Sequence, residues 1–411
     1  MRERLRKEIR ESMRLLIVSP YFAPSSLVGA QRMTSLAKYL HDLGHEVHVI
    51  HLTAETMQRT TGNSCHSTAP EGLILHPFDL PNELPNIFAN ELNKGRAFDV
   101  VFERVLESYK FDGLLVTLGP FYPLYSLKKF VEKYNLPYML DFRDLGSIER
   151  IKRDTLLNFI KTWATELYAH HVEATVIKGA DFVTVVCPGD VGRMQKAYKI
   201  PDDKIDCIFN GFDEERTKDV VLRKPEGKTF KIGVFGKFMI YNKDKGPRIL
   251  RAVDRLRKEG YDVEIVHVGV GQDKVRETVA ELGVDPACYN GQGIQDYRVG
   301  VQIMSGCNMF AMDYVHPTGL GTKIFDYIHL NKPVLVVAPK DIYFAEFISQ
   351  FENCFRVETE EEIYETFKKI IDEQIQHLGK DVNADRFSRR HQNKRFQALV
   401  EKHLNSGNSK E

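Results

Sequence analysis

Two lysines in the C-terminal half of the chain have the type and position to bind a phosphate group. Lys237 follows the apolar stretch 230–236, and Lys245 comes just before the amphipathic stretch 246–260. The first stretch is typical of a strand and the second of a helix. An ammonium group at a strand end acts as a point charge that suits a diphosphate. Surface loops contain many lysines, so neither residue alone indicates a ligand.

A glycine-rich loop in the same half could complete such a site. Gly319 and Gly321 precede a predicted helix that begins at Thr322, with Lys323 in its first turn. Glycines let the backbone approach a ligand closely, and the free N–H groups and dipole of a helix start favour an anion. The alternative is a loop that only caps the helix. The phosphate interpretation is favoured because the lysines and the loop occur in the same half.

Asp326 lies one helical turn after Lys323, on the same face of the predicted helix. A carboxylate there could accept hydrogen bonds from a ribose diol, as acidic residues do in dinucleotide-binding folds. The alternative is a surface ion pair between the two side chains. The phosphate interpretation of the neighbouring loop favours the ribose role.

Two other turns of this half come at the ends of predicted strands. Gly269 ends the stretch 261–269, but no third glycine follows at the spacing of a nicotinamide-dinucleotide fingerprint. Gly291 and Gln292 lie in the turn 289–293, which could pass beneath a nucleobase. A plain turn without a ligand explains this segment equally well.

Small residues also mark two loops of the N-terminal half. Gly29 and Ala30 stand at the start of a predicted helix, and Gly119 ends a predicted strand. A backbone without large side chains could approach a phosphate or a sugar closely at these points. Tight packing of the helix is the alternative.

Charged residues cluster where another predicted strand of this half ends, namely Asp141, Arg143 and Asp144. Charges at the exit of a buried strand are unfavourable unless they are paired or used by a ligand. A pair between the arginine and an aspartate would fix the loop. A role toward a substrate is the equal alternative.

The candidate residues lie between stretches that alternate in kind. Short apolar stretches alternate with amphipathic helical ones, which predicts an α/β fold with parallel sheets and helices on both faces. Ligands bind such sheets at the carboxyl ends of the strands. The predicted strands are 14–20, 45–52, 98–103, 111–119, 136–142, the later part of 176–187, 204–210, 230–236, 261–269, 307–313 and 332–338.

A polar stretch without periodicity, 211–229, divides these units into two halves. The prediction is two Rossmann-like, doubly wound domains, 13–215 and 216–384, that face each other across a ligand-binding cleft. A polar-amphipathic helix within 385–411 ends the chain. The basic segment 1–12 is interpreted as a solvated N-terminal extension, with an interfacial helix as the alternative.

Composition excludes several classes of protein. The chain has 411 residues and a formal net charge of zero, whereas nucleic-acid binders usually carry an excess of Lys and Arg. Its six cysteines are scattered without a C-x-x-C pair, which is typical of a reducing compartment. No stretch approaches the roughly 20 apolar residues of a membrane-spanning helix, and the N-terminus lacks the apolar core of a secretory signal. We therefore expect a cytoplasmic location.

The absence of three known motifs argues against further kinds of ligand site and reaction. The sequence contains neither a G-x-x-x-x-G-K-[ST] phosphate loop nor a G-x-S-x-G hydrolase elbow. It also contains no D-x-D motif, the usual acidic clamp for a metal–diphosphate complex. We therefore predict no metal site and no cofactor.

The order and spacing of motifs over residues 14 to 404 resemble those of GT-B glycosyltransferases of the large retaining group that includes family 4. "RLLIVSPYFAPSSLVGAQRMTSLAKYLHDLGHEVHVI" is similar to their opening, and "GADFVTVVCPGDVGRM" resembles the close of their first domain. "VFGKF" followed by "KDKG" resembles the strand and basic residues that hold the donor diphosphate. "GLGTKIFDYIHLNKPVL" resembles the donor loop and helix, and "RFSRRHQNKRF" the C-terminal helix that crosses back to the first domain. "DFRD" is similar to a version found in bacterial cell-surface polysaccharide transferases.

The resemblance implies a GT-B fold with an acceptor-side N-terminal domain and a donor-binding C-terminal domain. Many members carry two glutamates in an E-x7-E pattern, and here Thr318 stands at the first position and Asp326 at the second. The implied roles are donor diphosphate binding for Lys237, Lys245, Gly319, Gly321, Thr322 and Lys323, ribose binding for Asp326, nucleobase contact for Gly269, Gly291 and Gln292, an acceptor-side loop for Gly29, Ala30 and Gly119, and acceptor positioning or deprotonation for Arg143 and Asp144.

The activity implied by the resemblance is transfer of a sugar, with retention of configuration, from a UDP- or GDP-linked donor. The acceptor would be a glycan or a lipid-linked molecule in cell-surface polysaccharide synthesis, and no metal and no nucleic acid would take part. Peripheral contact with the inner face of the membrane would suit a lipid-linked acceptor. Two alternatives stay open: a hydrolysing nucleotide-sugar epimerase of the same fold, and a non-catalytic GT-B partner protein.

Overall fold

The computed structural model describes residues 12–25, 27–62, 68–84, 87–145, 148, 156–239, 244–380 and 382–404. The predicted N-terminal extension, apart from Ser12, and the last seven residues of the predicted C-terminal segment lie outside these residues. The chain divides into two compact units. Unit 1 comprises Met1–Phe209 and Gln392–Glu411, and unit 2 comprises Asn210–His391.

Unit 1 is built on seven strands. They are β1 (Arg14–Val18), β2 (Glu46–Leu52), β3 (Ile74–Phe78), β4 (Gly113–Leu118), β5 (Tyr138–Phe142), β6 (Phe182–Val185) and β7 (Ile205–Cys207). All neighbours pair in parallel, in the order β3-β2-β1-β4-β5-β6-β7. The intervening helices are α1 (Val28–Asp42), α2 (Ala54–Thr61), α3 (Ile87–Ser108), α4 (Leu124–Tyr134), α5 (Leu156–Gly179) and α6 (Pro188–Tyr198). Every side chain of β4 and β5 is buried, as expected for strands covered on both faces.

Unit 2 is built on six strands, again all parallel. They are β8 (Phe230–Phe235), β9 (Val263–Val268), β10 (Tyr289–Gly291), β11 (Met309–Asp313), β12 (Val334–Val337) and β13 (Cys354–Val357), in the order β10-β9-β8-β11-β12-β13. The helices are α7 (Glu214–Thr217), α8 (Gly246–Lys258), α9 (Gln272–Leu282), α10 (Tyr297–Ser305), α11 (Lys323–Leu330), α12 (Tyr343–Ile348) and α13 (Glu360–Asp372). The predicted class of two doubly wound parallel-sheet domains is thereby confirmed. That the two face each other across a cleft stays a prediction.

The predicted strand at 98–103 is wrong, because these residues lie inside the long helix α3. Phe98, Phe102 and Val105 are buried at helical spacing, whereas Val100 is 69% exposed. A run of aromatic and β-branched residues favours a strand locally, but burial of one helical face outweighs that preference.

The final helix, α14 (Arg389–Leu404), completes unit 1 from the far end of the chain. Phe396, Val400 and Leu404 are buried in the same apolar cluster as residues of β1 and α1. A methyl group on Gly113 would lie only 2.7 Å from Leu404 Cβ, so the helix packs closely on the start of β4. Residues more than 280 positions apart thus share one core.

A buried ion pair fixes the carboxyl end of β5. Arg32 and Asp141 form two hydrogen bonds, 2.9 and 3.2 Å long, with side chains 5% and 0% exposed. Asp141 also accepts from the hydroxyls of Thr117 and Thr184, which stand on the two flanking strands. The pairing of Asp141 with Arg32, and not with Arg143, leaves the second arginine available for another role.

Neither a membrane-crossing helix nor a disulfide occurs in the described part of the chain. No helix there is long and apolar enough to cross a bilayer. The five described cysteines are all free and buried, namely Cys187, Cys207, Cys288, Cys307 and Cys354.

Candidate functional site

The loops that follow β8 and β9 touch backbone to backbone at the carboxyl edge of the unit 2 sheet. A methyl group on Gly269 would lie 1.9 Å from the Gly236 oxygen, and both residues have positive φ. The Gly269 N–H donates to the carbonyl of Gly293 at 3.0 Å, which adds the loop after β10. Three neighbouring loops are therefore held within backbone contact at this edge, where ligands of such sheets bind.

His267, at the end of β9, stabilises this contact through hydrogen bonds of its imidazole. Its Nε2–H donates to the Gly236 carbonyl at 2.8 Å, and its Nδ1 accepts from the Tyr289 hydroxyl at 2.7 Å. Burial lowers the pKa of His267, so the imidazole is neutral, in agreement with one donating and one accepting nitrogen.

Replacing Gly269 by alanine is expected to lower the free energy of unfolding by about 2–5 kcal/mol, because strain at a positive φ adds to a backbone clash. Gly260→Ala is the matched control, since Gly260 also has positive φ but no atom lies within 4 Å of an added methyl group. Its cost should be about 1–2 kcal/mol from the backbone alone. Urea denaturation of both variants measures the difference, and equal costs would contradict the predicted clash.

The two predicted phosphate-binding lysines lie after a strand and before a helix, as the sequence predicts. Lys237 is exposed and follows β8 by two residues. Lys245 is half-buried and immediately precedes α8. Burial lowers the pKa of Lys245, while the carboxylates of Glu358 and Asp313 act in the opposite direction. The charge of Lys245 is therefore partly desolvated and stands close to acidic groups.

Asp313, the last residue of β11, is a site residue that the sequence interpretation missed. Burial raises the pKa of its carboxyl to about 6, although the Met239 N–H and the charge of Lys245 favour the ionised form. Its position at a strand end of the same edge could have drawn attention to it. Because its pKa is about 6, Asp313 changes its charge near this pH, and it adds to the compensation of the Lys245 charge by Glu358.

Replacing Asp313 by asparagine should stabilise the protein at neutral and alkaline pH. The folded-state pKa of about 6 lies above the ordinary 3.8, so burying the ionised form costs free energy above pH 6. We expect the variant to gain about 1–3 kcal/mol at pH 8. The gain should shrink below pH 6 and vanish near pH 4, where both states are protonated. Urea unfolding from pH 4 to 8 measures this, and a variant that is less stable than the wild type at pH 8 would contradict it.

The predicted donor helix begins at Lys323, with Thr322 as its N-terminal flanking residue. The Lys323 side chain runs across the β8 edge: its Nζ lies 4.5 Å from the Phe235 ring centre, and a methyl group on Gly236 would lie 2.7 Å from its Cε. The loop after β8 and the start of α11 are thus in contact through this lysine.

The two glycines before this helix allow close packing of the loop. A methyl group on Gly319 would lie 2.7 Å from the Tyr314 hydroxyl, and one on Gly321 would lie 3.0 Å from Met312 Cε. The Gly319 N–H donates to His316 Nδ1 at 2.9 Å. Neighbouring side chains therefore occupy the space beside both glycines, and ligand binding by this loop stays a prediction.

The carboxylate of Asp326 is held by the hydroxyl of Tyr297, which donates to Oδ1 at 2.6 Å. Tyr297 in turn lies under the guanidinium of Arg216, 4.2 Å from its ring centre. The structure forms no ion pair between Lys323 and Asp326 among the residues it describes, so the surface-pair alternative does not apply. Tyr297 was not foreseen from the sequence, because it lies 29 residues before Asp326 with no local signal.

Gly291 and Gln292 are engaged inside unit 2. The Gln292 side chain donates to Asn290 Oδ1 at 2.6 Å, and its backbone N–H donates to the His267 carbonyl at 2.8 Å. A methyl group on Gly291 would lie 2.4 Å from Oε1 of Gln272. These contacts suit the plain-turn interpretation, and nucleobase contact stays a prediction.

In unit 1 the structure brings together three predicted acceptor-side residues. The guanidinium of Arg143 lies between Gly29 and Gly119: added methyl groups would lie 1.1 Å from Nη1 and 1.8 Å from Nη2, respectively. Ala30, the next residue of α1, is fully buried. Asp144 is exposed to solvent. Arg143 and the two glycines therefore form one cluster at the carboxyl edge of the sheet.

The order of these elements and the two sheets can be compared with known proteins. Residues 29–216 match the model of the family described as Glycosyltransferase Family 4. The structure superposes on sucrose-phosphate synthase from Thermosynechococcus elongatus with a TM-score of 0.67 and 13% identity, covering 95% of this chain and 98% of that chain. The fold is GT-B.

Two other GT-B structures cover nearly the whole chain. HepE from Anabaena, in complex with UDP-glucose, has a TM-score of 0.61 and 17% identity over 95% of this chain and 100% of that chain. UDP-GlcNAc 2-epimerase from Methanocaldococcus jannaschii has a TM-score of 0.58 and 11% identity over 95% of this chain and 99% of that chain. No curated protein gives a significant match. The predicted resemblance to family 4 glycosyltransferases is confirmed by the match over residues 29–216, and the TM-scores show the GT-B fold.

Metal ligands are not clustered in the described residues. No group of three or more His, Cys, Asp or Glu side chains there lies close enough together to hold an ion. Metal independence stays a prediction, and the GT-B edge of unit 2 offers lysines and helix N–H groups as the groups that could bind a diphosphate.

Proposed function

We propose that the protein is a retaining glycosyltransferase that moves a sugar from a nucleotide-sugar donor to a glycan or lipid-linked acceptor, in cell-surface polysaccharide synthesis. The observation that carries the proposal is the carboxyl edge of unit 2, where the loop that contains Lys237 contacts the loop after β9 and Lys323 at the start of α11. Lys245 precedes α8, and its charge acts on Asp313 at the end of β11. The match of residues 29–216 to the family 4 model supports the transferase class.

In the proposed reaction the bond from the sugar C1 to the donor diphosphate breaks, and a bond from C1 to an acceptor oxygen forms on the same face. The acceptor proton leaves with the nucleoside diphosphate. Negative charge builds up on the diphosphate as the bond breaks, so preorganised cations stabilise the transition state. Lys237, Lys245 and the first N–H groups of α11 would provide that stabilisation without a metal.

The donor is proposed to be linked to UDP or GDP, with UDP tested first because the similar HepE structure contains UDP-glucose. Asp326, oriented by Tyr297, would accept hydrogen bonds from the ribose with its second oxygen. This chain has Thr318 at the position where many family members carry the first glutamate of the E-x7-E pattern. The donor sugar would therefore meet a hydroxyl at this position and not a carboxylate.

The first test is a thermal-shift screen of the purified protein against UDP, GDP, ADP, CMP and dTDP, with and without EDTA. A ligand that binds the native state raises the melting temperature by mass action. A shift with one nucleoside diphosphate that survives EDTA is the expected result. No shift with any of them would overturn the donor site and favour the non-catalytic alternative.

Product analysis then separates the proposal from an epimerase, a reaction named by one of the similar GT-B structures. A transferase incubated with UDP-sugar alone should release little UDP until an acceptor is added. Release of stoichiometric UDP together with an epimerised free sugar, in the absence of acceptor, would assign the epimerase instead.

A further inference from the structure

The guanidinium of Arg143 occupies a slot that two glycines leave for it. Its Nη1 lies over Gly29 in the first turn of α1, its Nη2 lies over Gly119 after β4, and its Cζ is 5.8 Å from the Tyr21 ring centre. Any side chain at either glycine would displace the guanidinium. Two separate backbone segments thus have glycine, which lacks a side chain, at the points where they contact this cation.

Among the described residues, no carboxylate forms an ion pair with this cation, although the charges of Asp141 and Asp144 act on it from a distance. Asp141, two residues earlier, gives both carboxylate oxygens to Arg32, Thr117 and Thr184. Within the part of the chain that the structure describes, Arg143 forms no ion pair, and its buried Nε has no hydrogen-bond acceptor. A guanidinium carries five donors, and a buried donor that is left unsatisfied is unfavourable for folding. The arrangement is unfavourable for stability alone and favours an anionic ligand.

The start of α1 adds a second group of donors beside the first. This helix has 15 residues, no side-chain cap at Leu27 and no acidic residue in its first turn. Its free N–H groups and dipole favour an anion at the turn where Gly29 meets the guanidinium. Donors from two directions suit a tetrahedral group with several oxygens better than a single planar carboxylate.

We propose that Arg143 and the first turn of α1 bind a phosphoryl group of the acceptor substrate. The inference rests on the proposed function, in which unit 1 binds the acceptor and unit 2 the donor. It narrows the acceptor to a molecule that carries phosphate close to the hydroxyl that receives the sugar. A soluble sugar phosphate and a lipid-linked phosphate share this chemistry.

The test uses inorganic phosphate as a probe in the full-length Lys237→Ala/Lys245→Ala background, so that the donor site does not contribute. Phosphate should raise the melting temperature in a saturable manner, and Arg143→Gln should raise the half-saturating concentration at least about tenfold, as loss of a charge-assisted bidentate contact predicts. Arg104→Gln, which removes an exposed arginine of α3, is the matched control and should respond like the parent. An equal phosphate response of Arg143→Gln and the control would overturn the proposal.

A purely structural role for Arg143 is distinguished by stability. Because the side chain is desolvated and forms no ion pair among the described residues, Arg143→Gln without phosphate should unfold at the same temperature as the parent or higher. Marked destabilisation by this substitution, with phosphate binding unchanged, would assign Arg143 to the scaffold and overturn the proposal.

Two further arms identify the source of the phosphate. Glucose 6-phosphate is tested by thermal shift, and phosphatidylcholine vesicles that contain undecaprenyl phosphate are tested by co-sedimentation. If Arg143→Gln weakens binding in either experiment, the proposal is supported and the source of the phosphate is identified. If Arg143→Gln leaves binding unchanged in both experiments, the proposal is contradicted.

Different results would overturn the proposed phosphate site of unit 1 and the proposed glycosyltransferase function. Nucleotide shifts in wild type with a phosphate response that is independent of Arg143 would remove only the phosphate-bearing acceptor. A phosphate response that depends on Arg143, in a protein that binds no nucleoside diphosphate, would keep the unit 1 site and remove the donor assignment. Loss of nucleotide binding in Arg143→Gln would place the arginine on the donor and overturn the acceptor role.

Discussion

Loss of both Lys237 and Lys245 should lower donor turnover by about 10²–10³-fold while the protein stays folded. The expected size follows from the usual effect of removing preorganised charge stabilisation from a transition state. Lys237 is exposed, so its truncation removes little packing. Burial already lowers the pKa of Lys245, so its replacement also relieves a desolvated charge. Stability should therefore be maintained when function is lost.

Initial rates of UDP or GDP release with a saturating acceptor measure the effect, and circular dichroism checks the fold. Lys258→Ala/Lys369→Ala is the matched control, because both lysines are exposed and lie in the last turns of α8 and α13, at the ends of these helices that point away from the carboxyl edge. Turnover of the test variant within a factor of three of this control would remove the two lysines from the donor site.

Replacing Asp141 by asparagine should lower the free energy of unfolding by about 3–5 kcal/mol. This is the usual result of removing one partner from a buried ion pair, since the other charge is left uncompensated. The carboxylate is fully buried and accepts four hydrogen bonds, two from Arg32 and one each from Thr117 and Thr184. An amide can satisfy only part of that set.

Urea denaturation at pH 7 measures the loss, and the variant Arg32→Met/Asp141→Leu provides the control. Removing both charges together should recover part of the stability, because the penalty comes from the unpaired charge. Recovery should be incomplete, since Arg32 also donates to the carbonyls of Ile208 and Phe209. A cost below about 1 kcal/mol for Asp141→Asn would show that water reaches the pair.

The alternation of strands and helices could be predicted because burial on both faces of a parallel sheet selects continuous apolar stretches. The same criterion failed at residues 98–103, because burial of one helical face there produces a similar stretch of apolar residues. Strand β3 was not foreseen, because its sequence Ile74–Phe78 contains a histidine and a proline and lies at the sheet edge. Edge strands bury less surface and therefore show a weaker pattern.

Sequence position predicted which loops reach the carboxyl edges, but not which side chains pair there. Gly29, Gly119 and Arg143 were singled out separately, and only the structure shows that they form one cluster. The partners Arg32 and Tyr297 were missed because each lies far along the chain from the aspartate it contacts. Contacts at such separation depend on tertiary packing, and no local periodicity encodes them.

The position of α14 affects the order in which the protein can fold during synthesis. Unit 1 begins the chain, yet its core includes Phe396, Val400 and Leu404, which the ribosome makes last. Until then, the apolar surface beside β1 and α1 stays uncovered, while all of unit 2 is being made. Nascent chains with such a surface aggregate or recruit chaperones. A fragment that ends at Phe209 should accordingly be insoluble alone, and a peptide of residues 389–404 supplied in trans should restore its solubility.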